Sequence, residues 1–196
     1  MQRNDYRQFK AIVIGVSTGG VSALTQLLGA MPADFPIPIL IVCHITPDSD
    51  DGLAKLLNSL CTIRVKEADE QEIITSGTVY LAPANYHLLV ERGGILALSI
   101  DPPVNFARPS ADVLFESAAE VYGTELIGII LTGAGSDGSK GLLKIKNKGG
   151  VVIVQEPTDA EMNSMPGSAL RLLDADHVVR LNDISGHLMR LAGDTL

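Results

Sequence analysis

The fold class follows from residues 11–20, which read AIVIGVSTGG. Residues 11–15 are a run of small and branched apolar side chains, which predicts a buried strand, and a helix is predicted over about residues 21–30 after the glycine-rich turn. Parallel strands are joined by helical crossovers, so a strand that leads directly into a helix is the first part of such a unit. This stretch therefore predicts a protein of the α/β class.

The rest of the chain repeats the alternation of strand and helix. Strands are predicted at 37–43, 62–66, 78–82, 87–91, 95–99, 126–131, 151–155 and 177–180, and helices at 51–60, 110–122, 139–148, 166–173 and from about 183. The residues ERGG (91–94) are typical of the turn of an antiparallel hairpin. We therefore predict a doubly wound, mostly parallel sheet with helices on both faces and an antiparallel β-hairpin in the middle of the chain. Because no linker or repeat divides the sequence, residues 1–196 are expected to form one domain with a core at about 11–191.

The composition agrees with this class and excludes some functions. The 196 residues are 46% hydrophobic but only 4% aromatic, as expected for parallel strands that are buried on both faces. With 23 acidic and 15 basic residues the net charge is −8, which argues against a nucleic-acid partner and gives no reason to expect binding to an anionic membrane. The apolar runs at 37–43 and 126–132 are too short to span a bilayer, so the protein is not expected to be membrane-embedded.

Cysteine content and the N-terminus bear on location and cofactors. Cys43 and Cys61 are too few for a disulfide framework or a four-ligand zinc site. The first ten residues are polar and lack the apolar core of a signal peptide. These features favour a reduced, cytoplasmic protein, and neither a metal nor an organic cofactor is expected.

Three predicted strand ends carry reactive side chains. Ser17 follows the first strand, His44 follows the second, and Asp137 lies in the loop LTGAGSDG (131–138) after the strand at 126–131. Ligands of open α/β sheets bind at the carboxyl ends of the strands, so these side chains are expected at one edge of the sheet. Together they are the minimum set that activates a hydroxyl, because the imidazole takes the proton and the carboxylate orients the imidazole. The pattern predicts a serine hydrolase.

The turn around Ser17 fits the nucleophile pattern G-x-S-x-G. Its glycines let the backbone bend sharply, and the start of the next helix supplies N–H groups and a positive dipole end for an oxyanion. The order Ser, His, Asp differs from the order Ser, acid, His of the α/β-hydrolases, so it predicts the same chemistry on another fold. Glycine-rich turns of this kind also serve as plain connectors or phosphate cradles, so the pattern alone does not decide the function.

Plainer interpretations exist for the histidines and for Cys43. The positions of His87 in a hairpin strand and of His187 on the last helix favour surface or packing roles, and His177 before a short late strand favours a structural role. His44 itself could be only a histidine at a strand end. Because neighbouring strand residues point to opposite faces, Cys43 is expected to be a small buried hydrophobe and not a nucleophile.

The loop at 133–138 supports a different function. Its residues GAGSDG fit the dinucleotide pattern G-x-G-x-x-G, and Glu156 comes where a ribose-binding acid belongs. This alternative predicts a nucleotide-binding oxidoreductase, although the carboxylate of Asp137 would repel a pyrophosphate in the loop. A third alternative is a catalytically silent interaction domain, in which Asp137 only forms the turn or caps a helix.

Several motifs together resemble a known family. They are IGVSTGG (14–20), the His-x-x-Pro segment at His44, VYLAPANYHLLV (79–90), RPSADVLFESAA (108–119), LTGAGSDGSKGL (131–142) and the QEPT…SMPGSA run (155–169). In this order they resemble the catalytic domain of the chemotaxis protein-glutamate methylesterases, the CheB family, which are also protein-glutamine glutaminases. The resemblance extends over about residues 11–191.

The resemblance implies a fold, a reaction and a site. It implies a doubly wound α/β domain that removes methyl groups from γ-glutamyl esters on the cytoplasmic helices of chemoreceptors. By motif, the implied catalytic residues are Ser17, His44 and Asp137. Backbone N–H groups near Thr18 and Ala134 are the implied oxyanion hole, with Gly135 as part of the supporting loop.

The sequence departs from the family pattern in three respects. Only about ten residues precede the first strand, where the family carries a receiver domain, so a separate receiver domain is a candidate partner. Ala134 stands where the family commonly has Met, and Cys43-His44 stands where it has Gln-His. Residues 45–51 are unusually acidic, and beside a substrate groove they would disfavour or reposition acidic substrate segments.

Overall fold

The structure is a computed structural model that describes residues 8–44 and 50–193. Its strands are β1 Ala11–Val16, β2 Ile39–Cys43, β3 Arg64–Glu67, β4 Thr78–Leu81, β5 His87–Glu91, β6 Ile95–Ser99, β7 Leu126–Ile130, β8 Val151–Gln155 and β9 His177–Val179. Its helices are α1 Gly20–Gly29, α2 Gly52–Leu60, α3 Ala111–Tyr122, α4 Ser139–Asn147, α5 Ser164–Leu172 and α6 Leu181–Leu191, with a 3-10 turn at Gly123–Glu125. The predicted elements are all present, and their bounds differ by at most two residues.

A parallel sheet with the strand order β3-β4-β2-β1-β7-β8-β9 forms the centre of the protein. β1 pairs with β2 on one side and with β7 on the other, so Val13 lies between Leu40 and Gly128. The strand order reverses between β1 and β7, and in such sheets a ligand crevice opens beyond the carboxyl ends of the strands at this point. β5 and β6 form a separate antiparallel hairpin. The predicted doubly wound architecture is confirmed.

Both faces of the sheet are buried, because alternate side chains of each strand enter different cores. Ile12 and Ile14 of β1 pack with α1, α2 and α6, whereas Val13 packs with α3, α4, α5 and the hairpin. All three side chains are completely buried. Full burial of a side chain of this size contributes roughly 1.5–3 kcal/mol, which explains the nearly continuous apolar runs of the central strands.

Gly15 allows α3 to start close to the end of β1. A Cβ atom at Gly15 would lie only 2.8 Å from the Cβ atom of Ala111, the first residue of α3. Real Cβ atoms do not approach so closely, so a larger residue at Gly15 would push the start of this helix away. The glycine therefore sets the position of a helix N-terminus beside the candidate site.

The residues 8–44 and 50–193 include no helix that is long and apolar enough to cross a membrane.

Candidate active site

The structure places Ser17, His44 and Asp137 beyond the carboxyl ends of three adjacent strands, β1, β2 and β7. Backbone hydrogen bonds continue past the ladders and fix these ends to one another. The N–H of Ser17 donates to the carbonyl of Thr132 at 3.0 Å, and the N–H of His44 donates to the carbonyl of Val16 at 3.1 Å. The backbone at Ser17 and at His44 is therefore held by the same kind of hydrogen bond as the sheet itself.

The turn that carries Ser17 depends on glycine. Gly19 has a left-handed conformation with φ of 80°, and the N–H of Gly20 donates to the carbonyl of Ser17 at 2.7 Å. A Cβ atom at Gly19 would lie 2.7 Å from a carboxylate oxygen of Glu161. Because Gly19 occupies the N-cap position of α1, no side chain caps the start of this helix. The turn leaves Ser17 half-buried and Thr18 exposed, next to the positive end of the helix dipole.

His44 and Asp137 are directly hydrogen-bonded. Nε2 of His44 lies 2.8 Å from Oδ2 of Asp137, and the exposed fractions of the two side chains are 20% and 3%. An ionised carboxylate can only accept, so Nε2 carries the proton and Nδ1 of the neutral ring is left as an acceptor. Among the described residues, the Ser17 hydroxyl makes no hydrogen bond to His44. Contacts between a nucleophile and its base are often long before substrate binds.

Further donors surround the Asp137 carboxylate. Besides His44 they are Ser110 Oγ at 2.7 Å, Asn105 Nδ2 at 2.9 Å, Ala111 N at 2.6 Å and Asp112 N at 3.3 Å. The two backbone donors are the first residues of α3, so the carboxylate lies on a helix N-terminus. Burial by itself raises the pKa of Asp137, but the hydrogen bonds outweigh this effect and hold the pKa at about 2. Asp137 is therefore ionised at neutral pH and is oriented from several sides.

The residues that support Asp137 were only partly predictable. Ser110, where the sequence predicts the helix to begin, directly precedes α3, but its side chain makes no capping hydrogen bond and its hydroxyl donates to Asp137 instead. His87 is buried in a packing role, with Nδ1 accepting from the N–H of Ser110 and Nε2 bonded to the carbonyl of Pro102, both at 3.2 Å. The role of Asn105 could not be predicted from the sequence pattern, because Asp137 lies far from it in the chain.

Cys43, the two remaining histidines and the acidic segment make other contacts than the His44–Asp137 pair. Cys43 is buried in the core that contains α1, and burial raises the pKa of its thiol to about 11. His177 and His187 pack against each other with ring centroids 4.2 Å apart. Of the acidic segment at 45–51, residues 45–49 lie outside the described residues, while Asp51 pairs with Lys55 at 2.8 Å. The effect of that segment on substrates stays a prediction.

A cavity of about 450 Å³ opens over the His44–Asp137 pair. Its lining includes Asn105, Phe106, Arg108, Ala134 and Gly135. Its size is in the range of sites that bind small molecules or single side chains. Ala134 and Gly135 line this cavity, whereas Thr18 does not.

The glycines of the loop at 133–138 have a packing explanation. A Cβ atom at Gly133 would lie 2.9 Å from the Cβ atom of Ser17 and 2.2 Å from the sulfur of Met165. A Cβ atom at Gly138 would lie 2.5 Å from Ile130. The loop thus packs against the Ser17 turn and encloses a buried, ionised carboxylate, which does not suit a pyrophosphate. Among residues 8–44 and 50–193, no group of three or more His, Cys, Asp or Glu side chains could hold a metal ion.

Comparisons with known proteins establish the family. Residues 12–188 match the family model described as CheB methylesterase. The chain belongs to the CheB methylesterase family. A relative from Leptospira interrogans is 50% identical over 188 residues, which are 96% of this chain and 97% of that protein. The crystal structure of the Thermotoga maritima CheB methylesterase catalytic domain matches with a TM-score of 0.90 and 36% identity, covering 94% of this chain and 99% of that one.

Other CheB relatives are longer than this chain. The protein-glutamate methylesterase/protein-glutamine glutaminase 2 of Syntrophus aciditrophicus is 40% identical over 185 residues, which are 93% of this chain but 54% of that protein. The chain thus spans about half the length of such relatives. The comparisons do not favour the oxidoreductase or the silent interaction domain.

Proposed function

We propose that this CheB-family chain is a serine hydrolase that removes methyl groups from γ-glutamyl methyl esters on the cytoplasmic helices of chemoreceptors. The same site would deamidate glutamine side chains, since both reactions pass through a tetrahedral oxyanion. The observation that carries the proposal is the 2.8 Å hydrogen bond between His44 and the buried Asp137 at the sheet edge that also carries Ser17. The names of the curated relatives supply the substrate class.

The proposed reaction starts with the Ser17 hydroxyl. Its oxygen attacks the ester carbonyl while Nδ1 of His44 takes its proton, and Asp137 stabilises the resulting imidazolium through Nε2. The carbonyl oxygen becomes an oxyanion that accepts hydrogen bonds from backbone N–H groups near Thr18 and Ala134, with Gly135 shaping the loop. The C–O bond to methoxide then breaks, and His44 returns the proton so that methanol leaves.

Water completes the cycle. His44 takes a proton from a water molecule, whose oxygen attacks the acyl-Ser17 carbonyl. The tetrahedral intermediate collapses to a free glutamate, and Ser17 recovers its proton from His44. The net reaction consumes one ester and one water and yields a carboxylate, a proton and methanol. For a glutamine substrate, ammonia replaces methanol as the leaving group.

The proposal also covers the domain organisation, the location and the regulatory partner of the protein. We propose that residues 1–196 act as one catalytic domain, that the reaction occurs in the cytoplasm, and that a receiver domain is its regulatory partner. The two free cysteines, Cys43 and Cys61, are consistent with a reducing compartment.

Methanol release from a methylated receptor tests the proposal. We expect Ser17→Ala to lower kcat by at least about 1000-fold, since removal of a nucleophile leaves only binding and oxyanion stabilisation. Ser59→Ala is the matched control, because Ser59 lies on α2 and its hydroxyl, in the part of the chain that the structure describes, bonds only to the carbonyl of Leu56. It should retain full activity. Unchanged methanol release by a folded Ser17→Ala variant would contradict the assignment.

A further inference from the structure

Two buried carboxylates lie side by side behind the site, and the proposed mechanism uses only one of them. Asp137 and Asp112 are each only 3% exposed. The side-chain amide of Asn105 lies between them, with Nδ2 2.9 Å from Oδ1 of Asp137 and 2.8 Å from Oδ2 of Asp112. An amide nitrogen carries two hydrogens, so Asn105 can donate one to each carboxylate.

Asp112 fixes which way round the Asn105 amide lies. If the amide were flipped, its carbonyl oxygen would face two carboxylates and lose both hydrogen bonds. The other oxygen of Asp112, Oδ1, accepts from the N–H of Gly141 in α4 at 2.7 Å. Burial raises the pKa of Asp112, and the nearby Asp137 charge adds to this, against the hydrogen bonds from Gly141 and Asn105. Asp112 therefore orients the amide and also joins α3 to α4.

Asn105 lies in a tight turn and is exposed as a residue, but its Nδ2 reaches both buried carboxylates. Asn105 and Phe106 both have left-handed conformations, with φ of 51° and 63°. Asn tolerates this region through local hydrogen bonding, whereas a bulky residue such as Phe is strained there, at a cost of roughly 1–2 kcal/mol. Reciprocal backbone hydrogen bonds between Val104 and Ala107, at 3.1 and 2.9 Å, close the turn. The Phe106 side chain is left fully exposed, so the turn is not held by burial of this ring.

The oxygens of Asp137 have distinct partners. Oδ1 accepts from Asn105 and Ser110, while Oδ2 faces His44. Without the Asn105 donor, Oδ1 keeps Ser110 and the long 3.3 Å bond from the N–H of Asp112, and Oδ2 keeps the N–H of Ala111, so the carboxylate plane is less firmly fixed toward the imidazole. We propose that Asn105 is a positioning residue that fixes the carboxylate plane of Asp137 for His44, and that Asp112 holds Asn105 in the donating orientation. This inference rests on the proposed function.

Asn105→Gly and Asn85→Gly are a matched pair that tests the inference. Both residues have left-handed backbones, which glycine adopts without strain. Each side chain also holds the segment 105–108, Asn105 through Asp112 and Asn85 through Arg108. Within residues 8–44 and 50–193, the Asn85 side chain bonds only to the guanidinium of Arg108, at 2.6 and 3.1 Å, and not to Asp137. We expect Asn105→Gly to lower kcat by about tenfold or more with little change in KM, as for other residues that orient a catalytic group. Asn85→Gly should leave kcat unchanged.

A spectroscopic readout separates positioning from simple loop support. The proton shared by His44 Nε2 and Asp137 should give a far-downfield proton NMR resonance in the wild type and in Asn85→Gly. It should shift or broaden in Asn105→Gly. If Asn105→Gly does not fold, the nearly isosteric Asn105→Asp, which replaces the amide donor to Asp137 by a carboxyl group, is compared in its place. An unchanged resonance and unchanged kcat in the folded variant would overturn the inference.

The exchanged pair Asn105→Asp with Asp112→Asn sharpens the test. It rebuilds a hydrogen bond between positions 105 and 112 but puts a carboxyl group, in place of the amide donor, beside the carboxylate of Asp137. We expect kcat to stay low, whereas recovery of wild-type kcat would show that Asn105 only anchors the loop. The outcomes remain distinguishable from a failure of the proposed function. If the proposed function fails, Ser17→Ala retains activity. If only the Asn105 inference fails, Ser17→Ala is inactive and Asn105→Gly keeps the kcat of the wild type.

Discussion

At the scale of single residues, Asp137 combines deep burial with full ionisation. A buried carboxylate is costly unless it is well supplied with donors. Here the side chains of His44, Asn105 and Ser110 and the start of α3 provide them. The free energy of these bonds is available only while the group is charged, so it links the candidate site to the stability of the fold.

Acid should remove this contribution in a defined pH window. The pKa of Asp137 is about 2 in the folded protein, below the value of about 3.9 in an unfolded chain. Its contribution to the free energy of unfolding is therefore complete above about pH 4 and is lost as the pH falls through about 2, and it amounts to roughly 2 kcal/mol. Urea unfolding at several pH values should show a steeper loss for the wild type than for Asp137→Asn. Equal slopes would contradict this assignment.

The sequence also has clear limits at this scale. Ser17, His44 and Asp137 could be proposed because each follows a predicted strand, which places reactive groups at one edge. Asn105 and the hydroxyl of Ser110 could not, because their contacts with Asp137 span 32 and 27 residues and depend on how α3 packs. Local patterns report on neighbours in the chain, and these supports are neighbours only in space.

At the scale of elements, the sequence pattern predicted every strand and helix, but it did not predict every boundary of these elements. α6 starts at Leu181, two residues before the expected position. The N–H of Leu181 donates to a carboxylate oxygen of Asp159 at 2.8 Å, so a distant side chain stabilises the first turn. The strand at 37–43 shortens to start at Ile39, next to Pro38, which cannot donate to a ladder.

The contact between β1 and α3 is the element-level feature that the site requires. Gly15→Ala would place a methyl group 2.8 Å from Ala111 and displace the N–H that bonds Asp137. We expect a loss of about 1–3 kcal/mol in the free energy of unfolding, together with reduced esterase activity. Denaturant unfolding and methanol release measure the two effects.

Gly29→Ala is the control for this substitution. A Cβ atom at Gly29, the last residue of α1, would meet nothing within 4 Å. Alanine there should be neutral or stabilise by up to about 1 kcal/mol, with unchanged activity. Equal destabilisation by both substitutions would show that the close approach of α3 to β1 is not the cause.

At the scale of the whole molecule, topology assembles the site. The sequence predicted parallel strands and hence one reactive edge. It did not predict that β2, β1 and β7 are immediate neighbours, because strand order depends on which crossovers pack together. That order brings Ser17, His44 and Asp137 to the point between β1 and β7 where the strand order reverses. A ligand crevice is expected at this point.

The central claim is that Ser17 is an activated nucleophile, and covalent labelling tests it most directly. The wild type is treated with a serine-directed phosphonylating probe, and the adduct is located by tandem mass spectrometry. We expect one adduct per chain, on Ser17, with labelling that is lost in Ser17→Ala and strongly slowed in His44→Ala. An adduct on another serine, or undiminished labelling of Ser17→Ala, would contradict it.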